Sequence, residues 1–156
     1  MLTVNQPRFF SRNLVVYDGS TPVAEIRYGT LGSAATIAIG GMQYQAARTG
    51  WFASAYQLFR GDFVVASATA AGFWSRRYEL QIGTSTCVLR RISGWTATGW
   101  RLTDGDLEVG SVQRHGFFRS ETVADFSPSV DLTVQVFVIW LANVLWQQDQ
   151  SAAAAG

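Results

Sequence analysis

The chain has 156 residues, of which 48% are hydrophobic and 15% charged, and its net charge is +1 at pH 7. This composition suits one globular domain and excludes a disordered chain. The small net charge provides no overall field for nucleic acid, so we expect no nucleic-acid partner, and any anion site must be local. Because Cys87 is the single cysteine and the N-terminus has no secretory leader pattern, we expect a cytoplasmic protein without disulfides.

A repeat of the form apolar-x-apolar-x-x-Gly organises residues 14 to 105. A strand with alternate buried residues, followed by a glycine in a tight turn, is typical of a β-hairpin. Five such hairpins predict ten strands, and the segments TVNQPRF before them and FFRSETVAD after them supply two more. The five copies end at Gly19, Gly40, Gly61, Gly83 and Gly105.

An apolar segment without a turn signal runs from Leu132 to Trp146. Its valines favour a strand by propensity, but its length exceeds that of a usual strand, and Pro128 and Asp131 provide a stop and an N-cap. We therefore predict a helix over residues 131–147 and a disordered tail over 149–156. Such a helix spans about 22 Å, which is shorter than the hydrocarbon core of about 30 Å, so we predict no transmembrane span.

A helix that is apolar on every face requires a core that surrounds it. Twelve strands can close into a barrel wide enough for a helix about 10 Å across. We predict a mainly β fold: a twelve-stranded antiparallel β-barrel of consecutive hairpins, over residues 1–148, threaded by the hydrophobic C-terminal α-helix. Phe137 and Trp140 should then be almost fully buried. The alternative is a β-trefoil-like carbohydrate-binding module, which has no place for this helix.

Three stretches carry a family resemblance: GFWSRRYEL (Gly72 to Leu80), LEVGSVQRHGFFR (Leu107 to Arg119) and the Pro-led apolar segment from Ser127 to Trp146. With them the chain resembles a small bacterial member of the tubby C-terminal-like superfamily, which includes LURP-one-related and phospholipid-scramblase-like branches. The resemblance implies a barrel around a central hydrophobic helix and a role in binding phospholipid. The chain lacks lysine, and it has no counterpart of the tubby phosphoinositide site or of the calcium and acylation segments of scramblases.

Four arginines of one predicted hairpin form the candidate anion site. Arg76 and Arg77 precede the turn at Gly83, and Arg90 and Arg91 follow it. Antiparallel pairing would bring the two pairs close together, and guanidinium groups bind phosphate bidentately, so we predict a site for an anionic phospholipid headgroup. In the competing interpretation, nearby carboxylates neutralise these arginines and successive side chains point to opposite faces.

Other chemistry-bearing residues have simpler interpretations. His115 and Cys87 would act as base and nucleophile only if the fold brought them together. Asp104, Asp106 and Glu108 lack the ligand spacing of a calcium loop and suit a solvated turn. We therefore predict no catalytic residue, no cofactor and no metal, and hence no enzyme.

Two aromatic pairs, Phe73-Trp74 and Phe117-Phe118, are candidates for an exposed patch that contacts a partner or a membrane. Together with the arginine hairpin they favour a non-enzymatic binding domain for anionic phospholipid, or for a membrane-associated partner, at the inner face of the membrane. A protein-interaction domain with no lipid role is the alternative. A carrier or enzyme that uses the barrel interior is disfavoured, because the helix should fill that space.

Overall fold

The computed structural model describes residues 1–6, 12–30, 34–50, 55–71, 76–93, 97–115 and 121–155. Twelve β-strands and one α-helix follow one another along these ranges. They are β1 (Leu2–Asn5), β2 (Asn13–Asp18), β3 (Thr21–Tyr28), β4 (Ala35–Ile39), β5 (Met42–Thr49), β6 (Ala55–Arg60), β7 (Phe63–Ala70), β8 (Arg77–Ile82), β9 (Ser85–Ser93), β10 (Ala97–Asp104), β11 (Leu107–His115), β12 (Glu121–Phe126) and α1 (Leu132–Ala155).

The twelve strands form one closed antiparallel barrel. Each strand pairs with its neighbours in sequence, and β1 pairs with β12 to close the ring, with Leu2 opposite Ala124 and Val4 opposite Thr122. The predicted fold class is therefore confirmed. A trefoil is excluded, because all twelve strands belong to a single barrel.

The two ends of the barrel differ in the connections they carry. At the turn end, where β2, β4, β6, β8 and β10 finish, the five repeat glycines lie in hairpin turns with φ between +57° and +61°. Side chains with a Cβ rarely adopt this left-handed conformation, which explains the repeated glycine. The strand ends of β1, β3, β5, β7, β9 and β11 define the opposite end, which we call the loop end.

Helix α1 lies inside the barrel. The consecutive residues from Val136 to Trp146 are all buried, and consecutive residues cover every face of a helix. Phe137 and Trp140 are both 0% exposed, as predicted. The helix begins at the turn end, where the Asp131 carboxylate caps it by accepting a hydrogen bond from the backbone N–H of Thr133 at 2.9 Å.

The helix ends later than predicted. Residues 149–155, which we expected to be disordered, continue α1 as exposed helix up to Ala155. Alanine is the strongest helix former, no glycine or proline interrupts the segment before Gly156, and the Ser151 hydroxyl donates to the Gln147 carbonyl at 2.9 Å. The exposed residues 147–155 therefore extend the helix by about 13 Å beyond its buried part. Among the described residues, no helix is both long enough and apolar enough to cross a membrane.

Candidate functional site

The arginine hairpin pairs in the predicted way, but its side chains divide between two faces. Arg77 lies directly opposite Arg90 between β8 and β9, and the backbone N–H of Arg91 donates to the Arg76 carbonyl at 3.1 Å. Since Tyr78 is buried on the inner face of β8, its neighbour Arg77 points outward, and Arg90 opposite does the same. Arg91 occupies an inward position on β9, whereas Arg76 is exposed and lies just before β8, so the four arginines are not all on one face.

A row of three arginines follows the outer surface. Arg101 on β10 lies opposite Arg90, which extends the pair formed by Arg77 and Arg90 across three neighbouring strands. We call these three residues the outer row. The Arg101 Nε atom is 2.9 Å from a carboxylate oxygen of Glu108, and both side chains are half-exposed. Arg90 is exposed and has no ion pair within the described ranges, so it is the cation of the row most available to an anion.

The inward arginine of the hairpin is bound to the helix. The Arg91 side chain is 15% exposed, and its Nη1 atom donates to the Asp149 carboxylate on the exposed part of α1. One residue earlier, the Gln148 amide donates to the Tyr56 hydroxyl at 2.8 Å. These two contacts attach the exposed part of the helix to β9 and β6 at the loop end.

The structure adds Arg114, which our sequence prediction missed. It follows the fully buried Val112 by two positions on β11 and therefore faces inward. Its guanidinium carbon lies 5.4 Å from the ring centroid of Trp146, in a cation–π contact, and its buried Nε atom has no hydrogen-bond partner. Burial lowers the pKa of Arg114, and the nearby Tyr28 partly opposes that effect. Strand alternation from Val112 was the one sequence signal for this position.

An aromatic chain supports the interior on the side of β6, β8 and β10. Tyr56 contacts Trp140 edge-to-face at 5.9 Å between ring centroids, and Tyr78 contacts Tyr56 at 6.1 Å and Trp100 at 5.9 Å. The pKa of Tyr78 is raised to about 12, mainly by burial and in smaller part by Tyr56 and Asp149, while Arg48 opposes the rise. Edge-to-face packing of this kind holds the rings in one arrangement beneath the loop-end arginines.

The remaining sequence candidates do not assemble into a site. Cys87 lies on the inner face of β9 towards the turn end, whereas His115 is exposed at the loop end of β11. Burial raises the pKa of the Cys87 thiol, which lowers its thiolate fraction at neutral pH. The described residues contain no group of three His, Cys, Asp or Glu side chains that could hold a metal ion. The predicted aromatic patch at Phe73-Trp74 and Phe117-Phe118 lies outside the described residues.

Charge is divided between the two ends of the barrel. Within two positions of the strand ends, the described residues at the loop end include seven arginines and two carboxylates, whereas those at the turn end include one arginine and six carboxylates. The segments outside the described ranges contain two further arginines and no Asp or Glu. The loop-end residues are Arg12, Arg27, Arg48, Arg76, Arg77, Arg91, Arg114, Glu79 and Glu121, and the turn-end residues are Arg60, Asp18, Asp62, Asp104, Asp106, Glu108 and Asp125. The helix adds one carboxylate at each end, Asp131 before its start at the turn end and Asp149 on its exposed part at the loop end.

No protein-family model, curated protein or solved structure matches the chain. The resemblance to the tubby-like superfamily therefore stays a prediction. What supports a function is the geometry of the described residues: an acidic turn end, a basic loop end and an outer row of arginines beside it.

Proposed function

We propose that the protein is a non-enzymatic, tubby-like binding domain that binds anionic phospholipid through its loop end and outer row. The division of charge between the two ends carries this proposal. In a chain whose net charge is only +1, the arginines are concentrated where they act together, and most carboxylates lie at the opposite end. The proposed location is cytoplasmic, at the inner face of a membrane.

An anionic membrane would both attract and orient such a molecule. Each arginine close to the surface contributes about 1 kcal/mol, and the contribution falls off within a Debye length of about 8 Å at physiological salt. The acidic turn end is repelled by the same surface. The barrel therefore binds with its loop end towards the lipid, and added salt weakens the binding.

The outer row provides the most direct test, because Arg90 is exposed and contributes no contact to the core. Substitution Arg90→Glu reverses one charge at the proposed surface. Since two unit charges are lost there, we expect about thirtyfold weaker binding, from about 1 kcal/mol for each charge. The matched control is Arg60→Glu, which makes the same change at the turn end and should leave the affinity unchanged.

The measurement is co-sedimentation with vesicles of phosphatidylcholine alone and with vesicles that also contain phosphatidylserine or phosphatidylinositol phosphates. The wild-type protein should sediment only with the anionic vesicles, and less at high salt. Equal and negligible binding to both kinds of vesicle would remove the lipid proposal. Equal losses in the Arg90→Glu and Arg60→Glu variants would show that net charge alone, and not this face, governs binding.

One observation favours a second candidate, a protein-interaction domain. Five large apolar side chains of the described residues are exposed near the turn end, among them Phe63 at 75%, Leu107 at 68% and Met42 at 41%. Exposed apolar groups beside carboxylates suit a protein partner better than an anionic membrane. If the protein does not bind anionic vesicles, a variant in which Phe63 and Leu107 are both replaced by serine tests this candidate. A protein-interaction domain requires that this variant fail to bind a partner that the wild-type protein captures.

A further inference from the structure

The buried polar side-chain atoms that lack a hydrogen-bond partner include an unusual excess of donors. No carbonyl or carboxylate oxygen occurs among them within the described ranges. Buried polar groups are normally paired with protein or with water, so these N–H groups are positions at which an acceptor from outside the chain can bind. The atoms include Nε of Arg91 and Arg114, Nε1 of Trp100, Trp140 and Trp146, and the hydroxyl of Tyr28.

Several of these donors lie in the loop-end half of the barrel interior. Trp100 is directly opposite Arg91 between β10 and β9. Arg114 lies further towards the loop end on β11, with its guanidinium group over the ring of Trp146. Tyr28 is the last residue of β3, at the same end of the barrel. Arg114 thus contacts the last buried turn of α1, where the helix leaves the barrel, and the other donors lie towards the same end.

Arg114 has no carboxylate to balance its charge. All eleven Asp and Glu residues of the chain fall within the described ranges. The four ion pairs formed there use Glu25, Glu108, Asp125 and Asp149, and none involves Arg114. A half-buried guanidinium group without a counter-ion is costly, and the ring of Trp146 compensates only in part. A water molecule could accept a hydrogen bond but would leave the charge unbalanced.

We infer that Arg114, the Tyr28 hydroxyl and the indole N–H of Trp146 form a binding site for an oxyanion of the phosphate class. The guanidinium fork suits two oxygens of such an anion, and the other two donors lie at the same end of the barrel, on β3 and on the helix. A phosphate group offers three or more acceptor oxygens, whereas a carboxylate offers two. The inference deepens the proposed function and rests on it in one respect, that the phosphate belongs to a lipid headgroup.

Two sources can supply this chemistry, a phospholipid headgroup and a free phosphate. Inorganic phosphate is therefore the first probe, because it tests the site without a membrane. A ligand that binds only the folded protein raises its melting temperature as its concentration increases. We expect the melting temperature of the full-length chain to rise with phosphate, compared with chloride at equal ionic strength.

The decisive variant is Arg114→Gln. It should abolish the phosphate-dependent rise, while its melting temperature in chloride should equal or exceed that of the wild-type protein, because an unbalanced buried charge has been removed. If Arg114 had a purely structural role, Arg114→Gln would instead lower the melting temperature in chloride. Tyr28→Phe should weaken phosphate binding about tenfold, which corresponds to one hydrogen bond. The matched control is Arg60→Gln at the turn end, which should keep the full phosphate dependence.

Vesicle sedimentation with the same variants distinguishes the two proposals. Phosphate binding that depends on Arg114, without binding to anionic vesicles, would support the oxyanion site and remove the membrane function. The opposite pattern is vesicle binding that is lost in Arg90→Glu but unchanged in Arg114→Gln, with no phosphate-specific rise in melting temperature. It would support the membrane function and remove the oxyanion site. The inference is overturned if phosphate and chloride give the same melting temperature, or if Arg114→Gln retains the phosphate-dependent rise.

Discussion

At the scale of single residues, Trp140 connects the helix to the barrel. Its ring stacks on Phe137 of the same helix at 5.7 Å between centroids and contacts the ring of Tyr56 on β6 edge-to-face at 5.9 Å. It is 0% exposed. Removing this side chain would leave a cavity, and replacing it with a charge would place that charge where no water or partner can reach it.

We predict that Trp140→Asp prevents folding. An unpaired buried charge costs about 3–5 kcal/mol, in addition to the lost packing, and the total stability of a domain is only about 5–15 kcal/mol. Soluble yield and near-ultraviolet circular dichroism measure the outcome. Leu107→Asp, at a site 68% exposed, is the control that should fold normally. A soluble Trp140→Asp protein with native dichroism would contradict the central position of this residue.

Tyr78 makes the stability of the protein depend on alkaline pH. Its pKa in the folded protein is about 12, above the ordinary value of 10, and burial is the main cause. A raised pKa means that the folded state favours the neutral phenol. The contribution of the neutral Tyr78 phenol to the free energy of unfolding is therefore complete below pH 10 and is lost as the pH rises from about 10 through about 12.

The expected result is that Tyr78→Phe loses less stability than the wild-type protein over this pH range. The free energy of unfolding, measured by denaturant titration at pH 8, 10 and 11, checks it. At pH 8 the difference in free energy of unfolding between the variant and the wild-type protein reports only packing and the hydroxyl group, so it serves as the baseline. Burial raises the pKa of Tyr28 as well, so the variant should keep part of the alkaline loss. Parallel pH profiles for both proteins would refute the role of Tyr78.

At the scale of elements, helix α1 has two parts with different roles. The buried part ends at Trp146 and fills the barrel, whereas residues 147–155 are exposed and contact the barrel through Gln148 and Asp149. The first part contributes apolar burial. The second contributes a hydrogen bond and a partly exposed ion pair, which are worth about 1 kcal/mol each.

Two truncations separate these roles. A chain that ends at Trp146 should fold and lose about 2 kcal/mol of stability, from the two missing contacts. A chain that ends at Val130 should not fold, because the inner faces of all twelve strands lose the helix that they pack against. Far-ultraviolet circular dichroism and a urea midpoint measure both outcomes. A folded barrel without α1 would show that the strands can close on one another unaided.

At the scale of the whole molecule, the fold was predictable because its signals are periodic. Repeated glycines mark the hairpins, and a helix that is apolar on all faces requires a wall around it. The exposed end of α1 was not predictable in this way. Residues 147–155 carry no apolar period, and helix propensity together with the contacts of Gln148 and Asp149 keeps them helical.

The candidate site was predictable only in part. Pairing of Arg77 with Arg90 follows from the hairpin turn, so the sequence was sufficient to predict it. Two other contacts depend on where the helix leaves the barrel: the ion pair of Arg91 with Asp149 and the contact of Arg114 with Trp146. Contacts between the helix and single strands have no local sequence signal, which explains why Arg114 was missed.

The position of α1 in the chain also affects how the molecule is made. The helix follows all twelve strands in sequence, and β12, which closes the ring with β1, comes immediately before it. During synthesis from the N-terminus, the inner faces of the strands therefore emerge from the ribosome before the segment that covers them. The barrel can be neither closed nor filled until β12 and α1 have been translated, so its final assembly waits for these two elements.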